Sequence, residues 1–130
     1  MPDNRPACWR WKPPTDATME RVRKMFSPEH WESIDELEKR RLLMAVWQRE
    51  RCAVCGRKSY GSLDTDHDHE TGLVRGYLCR SCNTVEGFGG GLIFAKYRER
   101  CPAVICGYVE YYFDPITHRF AKPRDGEVLA

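Results

Sequence analysis

The residues of this chain whose types and spacing can do chemistry are Asp66, His67, Asp68 and His69, a continuous run, and Asn83. Asp66 offers a hard carboxylate oxygen and Asn83 an amide oxygen. Both suit a magnesium-like ion that keeps several waters and binds a substrate phosphate. His67 offers a ring nitrogen that takes a proton near neutral pH. Phosphodiester hydrolysis needs these functions, a base to activate water and a cation to stabilise the phosphate and the leaving oxygen. Successive side chains on a regular strand face opposite sides. Asp66 and His67 can therefore share a site only if their strand twists or ends there.

Two CxxC pairs, Cys52/Cys55 and Cys79/Cys82, bracket this run, and Asn83 directly follows the last cysteine. Each pair can turn both sulfurs toward a single tetrahedral zinc ion, and Gly56 supplies a permissive backbone right after the first pair. The bland alternative is four unrelated thiols, two of them a redox pair; paired knuckles around a polar insert favour a structural Zn2+ site. Such a site fixes where the helix after Cys82 begins, and so where the Asn83 amide points. His67 and His69 binding a second zinc is the lesser reading, and Asp68 and Glu70 read as plain turn residues. A zinc nucleobase deaminase needs HxE followed by PCxxC, but Arg51 and Leu78 precede the two knuckles. A zinc protease needs HExxH, and Leu73 stands where its second histidine belongs.

The run CAVCG, then DHDHETGLVRGYLCRSCNTVEG, resembles the phage recombination endonuclease VII family, within the wider HNH (His-Me finger, ββα-metal) nucleases. The likeness covers roughly residues 52–87. It implies an HNH-type DNA endonuclease in which Asp66 and Asn83 bind catalytic Mg2+ or Mn2+ and His67 is the general base. Cys52, Cys55, Cys79 and Cys82 would bind structural zinc, and His69 would support the reaction beside the scissile phosphate. Arg75 would contact phosphate or brace the turn, and Glu86 would touch the metal or complete the helix. DNA is the implied partner, with a homodimer and phage DNA-processing or packaging proteins as further possibilities. A non-catalytic zinc-finger DNA-binding or assembly protein is the alternative. Such a module needs the cysteines but not Asp66, His67 and Asn83 together.

The implied fold class is α+β, mostly helical, with a zinc-stabilised ββα-metal core flanked by helices. We expect an N-terminal arm and helices over 1–50, the nuclease core over 51–90, and C-terminal helices with an irregular tail over 91–130. The first 14 residues, rich in proline, read as extended, with Trp9 and Trp11 exposed among Arg5, Arg10 and Lys12. That arm either lies on nucleic acid or packs on its own domain, the second being favoured. One helix is expected from Thr15 or Asp16 to about Phe26, with Met19, Val22 and Met25/Phe26 on one face. A second runs from Glu29 to about Glu50, with a break near 33 or 40 and a possible capping box at Ser33/Glu36. Its core stripe is Trp31, Ile34, Leu37, Leu42, Ala45 and Val46. Strands are expected over 62–67 and 73–78, a short helix over 80–86 closed by Gly87, and helices over 92–100 and 102–112. Residues 114–130 read as irregular.

With 130 residues, the chain has room for one core. No stretch is apolar enough to read as a membrane span or a signal sequence. Seven cysteines, an odd number, speak against a disulfide framework and for a reducing compartment, which the resemblance implies is the cytoplasm of a bacterial or phage-infected cell. Cys8, Cys101 and Cys106 are then buried or incidental. The net charge of +2 is unevenly spread: residues 1–60 hold 13 of 21 Lys/Arg and 9 of 19 Asp/Glu, residues 61–130 the other 8 and 10. The half that carries the candidate site is the acidic one, so the balance fits metal-bridged contact with nucleic acid, with ordinary solvated surface charge as the alternative.

Overall fold

A computed structural model describes residues 4–59 and 62–120. Pro123 and Gly126 of the expected tail lie outside the described residues. The arm enters the core at Pro6, Ala7 and Cys8. Ala7 and Cys8, in a 3-10 helix over Ala7–Arg10, donate from their backbone N–H groups to the carbonyls of Val54 and Ala53, both at 2.9 Å. The arm therefore packs on its own fold and is not extended throughout. Trp9 and Trp11 are half-buried, and Trp9 Nε1 donates to the Arg100 carbonyl at 2.8 Å.

Three helices follow: α1 (Asp16–Arg23), α2 (Pro28–Ser33) and α3 (Glu36–Gln48). Polar caps set their starts. The Thr15 N–H donates to Thr18 Oγ1 at 3.1 Å, His30 N–H to Ser27 Oγ at 3.1 Å, and Glu38 N–H to Asp35 Oδ1 at 2.8 Å. Each cap satisfies a helix-end donor that has no partner within its own helix. The expected break falls at Ile34, whose extended backbone (ψ 132°) separates α2 from α3. The cap of α3 is Asp35, not Ser33, whose hydroxyl instead donates back to the His30 carbonyl. The buried face of α3 is Leu43, Met44, Trp47 and Gln48. Of the expected stripe, Leu37 and Ala45 are exposed. From α1, Val22 enters the core while Met25 stays out in solvent.

Gln48 joins α3 to the sheet as a strand would. Its side chain donates to the Tyr77 carbonyl at 2.9 Å and accepts from the Tyr77 N–H at 3.0 Å. That pairing satisfies a fully buried amide. The sheet is an antiparallel pair, β1 (Asp64–His67) and β2 (Val74–Leu78), followed by α4 (Arg80–Gly87). Asp66 stands opposite Gly76, but the next residue, His67, stands opposite Val74, which leaves Arg75 as an extra residue on β2. The irregularity expected at Asp66/His67 is thus a β-bulge, a device that re-aims side chains.

Two short helices, α5 (Leu92–Glu99) and α6 (Pro102–Cys106), cover the sheet. The helix expected over 102–112 stops at Cys106 because Gly107 takes a left-handed conformation (φ 67°) and ends it. The chain then runs beside the β1–β2 turn. Val74 N–H donates to the Glu110 carbonyl at 2.9 Å, and Tyr112 N–H to the Gly72 carbonyl at 2.8 Å. Beyond it, β3 (Phe113–Asp114) and β4 (Arg119–Phe120) form a small hairpin where an irregular tail was expected. Asp114 Oδ1 closes its turn by accepting from Ile116 N–H at 2.8 Å. Among the described residues no helix is long and apolar enough to cross a membrane.

Gly76 shows how tightly α6 lies on β2. A Cβ there would sit 2.7 Å from Cγ of Pro102. Gly76→Ala is expected to destabilise by about 1–3 kcal/mol through overpacking, read as a lower urea midpoint.

Candidate active site

The two cysteine knuckles come together. All four sulfurs lie within 4.8 Å of one another, with Cys55 and Cys79 Sγ 3.9 Å apart. Zn–S bonds of ~2.3 Å imply tetrahedron edges of about 3.8 Å, so the cluster can hold a zinc ion with small adjustments. The first knuckle is shaped by the Gly56 N–H donating to the Cys52 carbonyl at 2.9 Å. Gly56 itself sits at φ 75°, and a Cβ there would stand 3.0 Å from Cβ of Ala7. In the second knuckle, Cys79 is the residue that caps α4, accepting from the Cys82 N–H at 3.5 Å. Asn83 is therefore carried in the first turn of a helix whose start is a thiolate donor.

Behind the cluster, the bulge turns Arg75 inward. Its Nε donates to Asp66 Oδ2 at 2.8 Å and its Nη2 to Asp66 Oδ1 at 3.2 Å, to the His67 carbonyl at 2.9 Å and to Glu86 Oε1 at 2.8 Å. The side chains of Arg75, Asp66 and Glu86 are 7%, 2% and 5% exposed. From α5, the fully buried Tyr97 donates its hydroxyl to Asp66 Oδ2 at 2.8 Å, and Arg98 Nε donates to Glu86 Oε1 at 3.0 Å. Burial pushes the Asp66 carboxyl above its ordinary value, although Arg75 and Tyr97 pull it down. Burial also acts to raise Glu86, but Arg98 and Arg75 outweigh it and hold that carboxyl below its ordinary value. Arg75 thus ties β1 to α4, and Glu86 ties α4 to β2 and α5.

His67 lies on the outer side of this network, half-buried. Its ring stacks on Tyr112 at a centroid distance of 4.3 Å and an angle of 8°, with the His69 ring 4.9 Å away. Burial, then the neighbouring His69 and Arg75, keep His67 below its ordinary pKa, so it is neutral near pH 7. Among the described residues neither ring nitrogen has a hydrogen-bond partner. His69 is exposed. Asp68 closes the turn, its Oδ1 accepting from Glu70 N–H at 2.7 Å and Thr71 N–H at 3.0 Å, the plain role expected of it.

The pair expected to hold a divalent ion is not assembled. Asp66 directs both oxygens at Arg75 and Tyr97, whereas a hydrated hard cation needs carboxylate oxygens that face water and substrate. The Asn83 amide meets Asp64 instead, with Nδ2 3.5 Å from Oδ2. Asp66 and Asn83 as they stand therefore do not fit a ready-made magnesium or manganese site.

Four participants escaped the sequence reading. Tyr97 and Arg98 sit in a helix read only as a flank of the motif, and Tyr112 was assigned to a helix that ends earlier. Asp64 stands two residues before Asp66, on the same strand face, and that spacing was the available signal. Nothing in the spacing announces Tyr112, which reaches His67 only because the chain leaves α6 at Gly107.

The model of the recombination endonuclease VII family matches residues 27–112. Among curated proteins, the Gene 59 proteins of Mycobacterium phages L5 and D29 are each 49% identical over 39 residues, covering 28% of this chain and 24% of the relative. The match thus spans about a quarter of those relatives' length. No solved structure matches.

Two outcomes are expected from this geometry. Arg75→Ala strands Asp66 and Glu86 in a buried setting and should cost about 3–5 kcal/mol, seen as a large drop in the thermal midpoint. Cys79→Ser should lose bound zinc, measured by elemental analysis, and flatten the cooperative unfolding transition, because binding and folding of such a cluster are coupled.

Proposed function

This chain belongs to the recombination endonuclease VII family, and from that premise we propose that it is an HNH-type DNA endonuclease with His67 as its general base. The β1–β2–α4 order, with its cysteine cluster at the junction, supports reading this part as a ββα-metal core. The observation that carries the role of His67 is its setting: neutral, stacked flat on Tyr112, and with both ring nitrogens unengaged among the described residues. A base must be unprotonated and within reach of the water it activates. The stack fixes the ring plane, and the bulge presents the ring outward. His67 takes a proton from water as the water oxygen bonds to a backbone phosphorus and the bond from that phosphorus to the 3′ oxygen breaks, the leaving oxygen taking a proton from solvent. The positive charge of Arg75 then disfavours a lasting imidazolium, which helps the ring return its proton. His69, exposed beside it, would support the reaction at the phosphate.

The resemblance implies magnesium or manganese with Asp66 and Asn83 as ligands, an arrangement these two side chains do not present as they stand, and no step above runs through that ion. Zinc in the four-cysteine cluster would be structural, holding Asn83 and α4 against the sheet.

The test is cleavage of four-way junction, nicked and linear duplex DNA by zinc-loaded protein, with magnesium or manganese added. His67→Ala is expected to lower cutting by about 10²–10⁴-fold while zinc content and thermal midpoint stay put. Unimpaired cutting by His67→Ala removes His67 from the role of base. A wild-type protein that cuts none of these DNAs in either ion defeats the nuclease reading.

A further inference from the structure

Away from His67, the arm, α1 and the end of α3 enclose a groove of about 620 Å³. Its walls carry Lys12, Arg21, Lys24, Arg49 and Arg51, and a single acid, Glu20. That acid is already taken, paired with Arg23 one turn along α1. None of the five cations forms an ion pair among the described residues. Arg51 stays in place by other means: its side chain donates to the Gln48 and Trp47 carbonyls at the end of α3, at 3.1 and 3.3 Å. Its guanidinium lies 4.0 Å over the Trp11 ring. The floor is firm as well, because Trp47 Nε1 donates to the Lys12 carbonyl at 2.7 Å and the Trp11 and Trp47 rings meet edge to face at 5.3 Å.

Five unneutralised cations gathered over a rigid aromatic floor are costly for a small fold through mutual repulsion unless an anion answers them. The opposite half of the chain makes the same demand from the other side. Residues 61–130 are net acidic and contain the Asp66–Glu70 run, so that half repels a polyanionic substrate. Attraction has to come from elsewhere on the molecule. Arg51 immediately precedes the zinc-cluster residue Cys52, which makes the basic wall continuous with the first knuckle. The arm and α1 walls lie ahead of the family-matched residues, while Trp47, Arg49 and Arg51 lie within them.

We propose that this groove is a second DNA-binding site, gripping the phosphate backbone of the substrate away from the scissile bond. The inference rests on the endonuclease reading for the identity of the polyanion. The ligand class is the sugar–phosphate backbone, read without sequence preference, since the groove offers charge and no set of outward amides to recognise base edges. Phosphate contacts of this kind set affinity and position and release condensed counterions, which makes binding steeply dependent on salt.

The experiment measures binding of fluorescein-labelled linear duplex DNA by anisotropy over a salt series, without added divalent cation, for zinc-loaded full-length protein. Variants are Arg21→Glu/Lys24→Glu on exposed positions of α1 and, on the facing wall, Lys12→Glu. Each is checked for zinc content and thermal midpoint. If the groove holds DNA, affinity at low salt falls by about an order of magnitude in the double variant, and the slope of log affinity against log salt becomes shallower by about one per cation lost. Lys12→Glu gives a smaller change of the same kind and carries the test if the α1 variant does not fold. Wild-type affinity and slope in folded variants overturn the proposal and free the groove for an acidic protein segment. The two readings fail separately. A protein that cuts DNA but whose variants bind like wild type loses the groove, and one that never cuts but shows the shallower slope keeps the groove and loses the nuclease.

Discussion

Arg75 is the constraint on which the site is built. Two carboxylates from different elements, Asp66 on β1 and Glu86 on α4, converge on its buried guanidinium, and Arg98 from α5 balances the second of them. Two acids and two bases leave the cluster neutral. That balance lets it sit where an unpaired charge would cost several kcal/mol. Tyr97 supplies the last donor to Asp66, and among the described residues no buried side-chain nitrogen or oxygen is left without a partner. The network specifies one arrangement of β1, β2, α4 and α5, because shifting any one element breaks charged hydrogen bonds.

The bulge is what makes that arrangement compatible with a reactive histidine. A regular ladder would pair Arg75 with His67 and send neighbouring side chains to opposite faces. The extra residue puts Arg75 on the inner side with Asp66 and leaves His67 at the margin, where Tyr112 meets it. Gly76 follows immediately, and its lack of a side chain lets Pro102 approach the strand. Three consecutive residues, Arg75 with its neighbours Val74 and Gly76, thus set the inner network, the pairing of the histidine and the seat of α6.

Much of this was legible in the sequence. The two knuckles, the order strand–strand–helix, and the need for an irregularity between Asp66 and His67 all follow from local spacing and side-chain alternation. The roles of Asp66 and Asn83 were harder to read because they depend on distant partners. Asp66 is claimed by Tyr97 and Arg75, and Asn83 faces Asp64. The helix mistakenly extended over 102–112 has a local cause, since Gly107 terminates it and no periodicity scan weighs one glycine heavily. The α3 core face was misread for a similar reason. Gln48, a polar residue, occupies a fully buried position because Tyr77 answers both ends of its amide.

The docking of Ala7 and Cys8 on Val54 and Ala53 imposes an order of assembly. Ala7 and Cys8 have their partners some 45 residues further along the chain, in a knuckle that takes shape around its cysteines. The arm thus waits, and closing it buries Cys8 and sets Trp11 and Lys12 against Trp47. Seating of the first knuckle and completion of the N-terminal face are then coupled, and a chain that has not formed its cysteine cluster would also lack its basic groove.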